Sequence, residues 1–290
     1  MGKYFSKKFI LRLIGLLSAI VILVGISFYQ FFEESKALEV DFLDVGQGDA
    51  ILIKTPDHQR ILIDGGPTST VVEKLGEHLP FYDKKIDLVI LTHPHADHLD
   101  GLVEVLKRYE VEKILSTGVT HTTPDYLAWL EEIKKQNVPM EIVVAGQTID
   151  FGSGVKMEFF YPKEDLTGKS MENLNNTSVV SKLIFGQTSF LFTGDAETEV
   201  EDELIGGGVN LKADVLKVAH HGSRNATSQN FLEKVQPKFA VISVGADNQF
   251  GHPNAMTVKR LENIGAEILR TDKDGDIKIK SDGVEIKIEE

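Results

Sequence analysis

The sequence predicts a layered α/β domain over residues 35–290, preceded over residues 1–34 by a basic tail and a membrane-spanning helix. Three observations predict this. Residues 13–32 carry no charge and are mostly Leu, Ile, Val and Phe. From Leu38 onward, short apolar runs of strand length end at polar, Gly or Pro residues. Helix-length segments separate those runs, and the chain closes on a strand-helix-strand pattern.

The first 34 residues read as an anchor. A helix needs roughly 20 apolar residues to cross a bilayer. Lys3, Lys7, Lys8 and Arg12 precede the run, and Glu33 and Glu34 follow it. The excess of basic residues on one flank keeps the N-terminus in the cytoplasm and sends the body outside. The alternative is a cleaved signal peptide and a secreted body.

The body shows period-two alternation at Leu38-Glu39-Val40-Asp41-Phe42. Further strands are expected at 51–53, 61–63, 87–91, 141–144, 155–160, 178–185, 189–192, 215–219, 239–244, 267–269, 277–279 and 284–288. Helices are expected at 99–108, 124–136, 197–205, 228–235 and 254–264. Thr123-Pro124 places an N-cap ahead of a Pro at the first helical position. Tyr126, Trp129, Leu130 and Ile133 follow at helical spacing, which makes the single Trp a core residue.

Composition excludes several classes. Lys and Arg number 31 against 44 Asp and Glu, a net charge of −13. All the acids follow Phe32, so removing the four basic residues of the head leaves 27 against 44, a net of −17 over residues 33–290. That surface repels a polyanion and argues against a broad basic groove for nucleic acid. The absence of cysteine excludes disulfides, Cys-type zinc sites and thiol chemistry.

Chemistry concentrates after the apolar run 87–91. His93, His95, Asp97 and His98 fall within six residues, in a chain with nine histidines. Imidazole and carboxylate are ligands for divalent transition metals. His93 and His95 can face one ion, and Asp97 and His98 can face a second. His220 and His221 end the run 215–219, and both reach one site only if Gly222 turns the chain there. Lys217 is either a site residue or a strand-edge lysine.

The His93-Pro-His95-Ala-Asp97-His98 run resembles the metallo-β-lactamase superfamily. Further motifs in order carry the same resemblance: Asp44-Val-Gly46-Gln47-Gly48-Asp49, Asp64-Gly65-Gly66, Asn175-Asn176-Thr-Ser178, Thr193-Gly194-Asp195, His220-His221-Gly222-Ser223 and Gly251-His252-Pro253. Together they are similar to the ComEC-like competence branch and to bacterial phosphorylcholine esterases. The resemblance implies an αββα sandwich with two divalent ions, Zn²⁺ or Mn²⁺. It makes Asp195 the carboxylate shared by both ions, His252 the last metal histidine and Asp64 an orienting residue behind the ligands. It gives Asp49 a place beside the site, and Asp97 with His220 or His221 a part in catalysis. One of the two histidines would ligate metal and the other would face substrate; the sequence does not choose. Ser223 and Arg224 would hold a phosphate oxygen.

One departure stands out. Many superfamily members supply a further histidine before the strand that begins near Ser178. Here Asn173, Asn175 or Asn176 occupies that region, and Asn176 is taken as the site residue. An amide oxygen suits a harder ion such as Mn²⁺ better than zinc.

The resulting expectation is a membrane-anchored extracellular phosphodiesterase or nuclease, with a water activated between two metal ions. Its substrate would be single-stranded DNA or a phosphorylcholine ester. The alternative is a non-catalytic surface module of a DNA-uptake or envelope complex. With one span, the chain cannot form a membrane channel by itself.

Overall fold

The computed structural model describes residue 11, residues 15–23 and residues 36–289. The chain divides into two units, Met1–Ala37 and Leu38–Glu290. In the first, residues 15–23 are helical, with Leu16, Ile20, Val21 and Leu23 exposed. The rest of the expected span, like Lys3, Lys7, Lys8 and Arg12, lies outside the described residues. No helix among the described residues is long and apolar enough to cross a membrane.

The second unit is built on two large sheets. The first contains β1 (Leu38–Phe42), β2 (Ile51–Lys54), β3 (Arg60–Ile63), β5 (Leu88–Ile90), β7 (Ile114–Ser116), β8 (Met140–Ile142), β16 (Ile277–Ser281) and β17 (Ile286–Glu289), in the order β17-β16-β1-β2-β3-β5-β7-β8. The second contains β9 (Thr148–Asp150), β10 (Val155–Tyr161), β11 (Val180–Phe185), β12 (Thr188–Phe192), β13 (Val215–Lys217), β14 (Phe239–Ile242) and β15 (Glu267–Arg270), in the order β15-β14-β13-β12-β11-β10-β9. A small parallel pair joins β4 (Lys85–Ile86) to β6 (Glu110–Val111).

Alternation along the strands sorts side chains into layers. Val40, Phe42, Ile51, Ile53, Ile61 and Ile63 meet Phe159, Phe190, Phe192, Val215 and Val241 of the second sheet in one core. The intervening Leu52, Leu62 and Val89 turn outward, onto Val71, Leu75, Leu99, Leu102 and Trp129. Those residues come from the helices Thr70–His78, Ala96–Arg108 and Pro124–Gln136. Leu191, Leu216, Ala240 and Ile242 turn the other way, onto Val200, Leu204, Phe231, Leu232 and Leu261 of the helices Thr198–Gly206, Gln229–Val235 and Ala255–Asn263. The layers are therefore helix, sheet, sheet, helix, as the resemblance implies.

Most expected elements form within a few residues of their bounds, and Pro124–Gln136 matches its range, with the Thr123 hydroxyl accepting from the Tyr126 N–H. The expected strand 215–219 ends early at Lys217, because the chain then turns through Ala219–Gly222. The helix Thr70–His78 is unforeseen: Thr70, Val71, Val72 and Gly76 blur its period. Strands β3, β5 and β7 run parallel, as do β12, β13 and β14, and the loops leaving β5, β12, β13 and β14 carry the residues of the candidate site.

Candidate metal centre

The loop after β5 delivers His93 and His95, and the helix Ala96–Arg108 begins at once, placing Asp97 and His98 in its first turn. This turn packs against the end of β3. A Cβ at Gly101 would overlap the Gly65 carbonyl oxygen, so the helix approaches as closely as it does only because position 101 has no side chain.

Asp64 organises the ligands from behind. Its Oδ1 accepts the Thr92 N–H at 2.8 Å, and its Oδ2 accepts the Thr92 hydroxyl at 2.7 Å and the His98 Nδ1–H at 2.8 Å. The Thr92 hydroxyl, whose O–H donates to Asp64, can accept from His93 Nδ1–H at 3.1 Å. Both imidazoles thus keep Nε2 for the site.

Asp195 follows β12, and its N–H donates to the Ser178 hydroxyl at 3.0 Å. It is not a helix cap, since the next helix is capped at Glu197. Its Oδ2 lies 3.3 Å from His98 Nε2, 3.5 Å from His221 Nε2 and 3.9 Å from the Nε2 atoms of His93 and His220. Asp97 Oδ2 is 3.2 Å from His221 Nε2. Ligand atoms of Asp97, His98, Asp195 and His221 all lie within 4.8 Å of one another.

The histidine pair divides. His220 and His221 both have left-handed backbone, with φ of 50° and 52°, and this turn sends their rings to different partners. His221 is buried and donates Nδ1–H to the Ser243 carbonyl at 2.9 Å, leaving Nε2 toward Asp195. His220 is partly exposed, with Nδ1 3.3 Å from Glu197 Oε1 and the Asn175 amide nitrogen at 3.4 Å.

Lys217 is buried among the carboxylates on an inner strand, not at a sheet edge. Its fully buried ammonium pairs with Asp49, lies 3.7 Å from Asp195 Oδ1 and donates to the Gly194 carbonyl at 3.0 Å. Asp49 is held in turn by its N–H, which donates to the Asp97 carbonyl at 3.1 Å.

Burial and charge together set the titration behaviour. Burial opposes protonation of His98 and His221, but Asp195 and the other carboxylates override it and hold both well above the ordinary histidine value. His93 is pushed well below that value by burial and then by His98, and His95 is lowered chiefly by burial. His252 is lowered to about 4 by burial and by His220 and His221. Burial likewise raises Asp64, against the pull of His98.

A divalent ion fits this donor set. His98 Nε2, Asp195 Oδ1 and Asp49 Oδ1 are buried without a hydrogen-bond partner, whereas buried polar atoms are ordinarily satisfied. Acidic and imidazole ligands converging on unsatisfied atoms are what Zn²⁺ or Mn²⁺ requires.

The model of the metallo-β-lactamase superfamily matches residues 43–246. The chain belongs to the metallo-β-lactamase superfamily. It is 32% identical over 260 residues to ComE operon protein 3 of Bacillus subtilis, covering 83% of this chain and 33% of that protein. It is 29% identical over 261 residues to competence protein ComA of Neisseria gonorrhoeae, covering 89% of this chain and 34% of that one. The chain thus spans about a third of the length of these relatives. Among solved structures, the metallo-β-lactamase fold protein YhfI of Bacillus subtilis shares the fold, with a TM-score of 0.56 at 14% identity, over 84% of this chain and all of that one.

The remaining expected residues fall around this superfamily centre. His95 Nδ1 sits 3.0 Å from His93 Nε2. The His252 ring lies 5.5 Å from that of His220. Asn175, not Asn176, faces His220; Asn176 Oδ1 instead accepts the Glu197 N–H at 3.0 Å and fixes that loop. The Ser223 hydroxyl accepts the Asn225 N–H at 3.3 Å, and Arg224 is exposed. Glu197, Ser178, Thr92 and Ser243 complete the centre and were not foreseen. Ser178 stands in the Asn175-Asn176-Thr-Ser178 motif, Thr92 directly before His93 and Glu197 two residues beyond Asp195, so of the four Ser243 alone had no local cue.

Proposed function

We propose that this superfamily member is a metal-dependent phosphodiesterase, tethered to the membrane by its apolar N-terminal segment with the body outside. The observation that supports it best is the convergence of Asp97, His98, Asp195 and His221 beside a partly exposed His220. Asp97, His98, Asp195 and His221 would hold one divalent ion, and His93, His95 and Asp195 a second. Such ions, when bound, lower the pKa of a coordinated water and polarise a phosphoryl oxygen.

The chain's own residues supply the rest. Asp64 holds His98, and the Ser243 carbonyl holds His221, each in the tautomer that directs Nε2 inward. His220, oriented by Glu197 at 3.3 Å, is placed to serve as the general acid toward a leaving oxygen. The exposed Arg224 guanidinium suits a substrate phosphate oxygen. Lys217, committed to Asp49, Asp195 and the Gly194 carbonyl, balances buried charge rather than meeting substrate. The resemblance to the competence branch favours single-stranded DNA over a phosphorylcholine ester as substrate. Residues 15–23, helical with exposed apolar side chains, favour the anchor.

The neutral amide of Asn175 where many relatives carry a ligating histidine favours a second reading, a non-catalytic module of a membrane complex. One experiment decides between them. The full-length chain is purified in detergent, its metal is quantified, and bis(p-nitrophenyl) phosphate is offered with added Zn²⁺ or Mn²⁺. Bound metal with turnover is expected. Absence of turnover under every metal condition would sink the enzyme reading.

A further inference from the structure

Phe250 is 71% exposed, and its ring lies along that of His252 with centroids 5.9 Å apart and 26° between planes. Single exposed apolar side chains are ordinary on protein surfaces. Two features set this one apart. Its neighbour His252 is in ring contact with both His220, at 5.5 Å, and His221, at 6.3 Å, so the phenyl group belongs to the rim of the metal centre. The loop that carries it is also pinned. Asn248 Oδ1 accepts the His252 N–H at 3.0 Å, while its amide donates to the His252 and Gly245 carbonyls at 2.7 and 2.8 Å. These bonds close the turn around Phe250, which therefore projects from a fixed backbone. By contrast, the exposed Phe81 and Tyr82 pack edge-on against each other and contact no site histidine among the described residues.

We propose that Phe250 is a specificity-determining platform: a base of single-stranded nucleic acid stacks on its open face while a neighbouring phosphodiester lies at the metal ligands. This rests on the phosphodiesterase reading and names its substrate class. A base needs one accessible flat aromatic face. A quaternary ammonium group is instead enclosed by a cage of aromatic rings, and the only ring in contact with Phe250 among the described residues is an imidazole. Duplex DNA would keep its bases paired and would require a broad basic groove, which the net negative charge of the body disfavours. Stacking on an uncharged ring is the mode of recognition least hindered by a net of −17 over residues 33–290.

The test uses the full-length chain loaded with Mn²⁺. Binding of a fluorescein-labelled, cleavage-resistant phosphorothioate oligodeoxythymidylate is followed by anisotropy, and hydrolysis of bis(p-nitrophenyl) phosphate is measured in parallel. Phe250→Ala is expected to weaken oligonucleotide binding by about 10-fold, Phe250→Trp to restore it, and both to keep their bound Mn²⁺. Oligonucleotide binding unchanged in Phe250→Ala overturns the platform, whatever happens to hydrolysis. So does competition by phosphorylcholine that is lost in Phe250→Ala. If the wild type fails on the small diester but still binds oligonucleotide through Phe250, the phosphodiesterase reading falls and the platform stands.

Discussion

The cluster of Asp97, His98, Asp195 and His221, and the flanking residues His93, His95 and Asn175, are built from different materials. The first group places two carboxylates against two imidazoles, and those imidazoles hold protons far more strongly than a free histidine. The second group brings neutral rings and an amide, with His93 and His95 both depressed in basicity. The carboxylate-rich side demands a cation and takes protons when no metal is supplied; the other side makes no such demand. The comparison predicts unequal metal affinity across one continuous centre.

The largest expected effect comes from Asp195, the residue both sides share. Asp195→Ala should release all bound metal and reduce hydrolysis to background, read by metal analysis and by turnover of bis(p-nitrophenyl) phosphate. Activity retained in that variant would show that the sides do not depend on a common carboxylate. The next effect separates them. His95→Ala should lose one equivalent of metal and keep the other, whereas His98→Ala should lose the tightly held one. Asn175→His should strengthen retention on the weaker side, measured as metal remaining after chelation. Equal losses in His95→Ala and His98→Ala would erase the asymmetry. A smaller effect is expected behind the ligands: Asp64→Asn keeps the volume but weakens its hold on His98, with a predicted loss of roughly 10–100-fold in metal affinity.

The smallest effect lies away from the centre and serves as its control. His78 Nε2 bonds Asp276 and its Nδ1 bonds Asp41, each at 2.8 Å, and these hydrogen bonds raise its pKa from 6.5 to about 9 despite partial burial. The pKa is raised in the folded state, so the stabilisation is complete below about 6.5 and is lost as pH rises through about 9. His78→Gln should cost about 1–2 kcal/mol at pH 6 after allowance for solvent screening. By pH 10 the variant and wild type should converge in urea denaturation, with metal content unchanged throughout. A gap that persists at pH 10 would mean that packing, not charge, accounts for the loss.

Legibility followed locality. His93, His95, Asp97 and His98 stood out in the sequence because one loop and one helix turn carry them all, whereas Asp195 was singled out by the family resemblance. The pairing of Lys217 with Asp49 was not readable, since it joins the end of one sheet's strand to the hairpin loop of the other. Nor were the separate fates of His220 and His221, which depend on two consecutive left-handed residues that no residue type there announces. The existence of strands such as Ile61–Leu62–Ile63 was plain, but which side faced which layer was not, because both faces are buried. Asn175 and Asn176 were indistinguishable as neighbours in sequence, and only the short 3-10 turn Asn175–Thr177 separates their directions.

Strand β1 pairs along its whole length with β16, Leu38 opposite Ser281 and Phe42 opposite Ile277. The first strand of the body to leave a ribosome therefore waits for one of the last before its sheet edge is covered. Until then Val40 and Phe42 have neither partner strand on that side nor a finished core. The order of synthesis thus leaves an apolar strand edge unpaired until the residues of β16 have been made, and such an edge is a hazard for wrong pairing in the meantime.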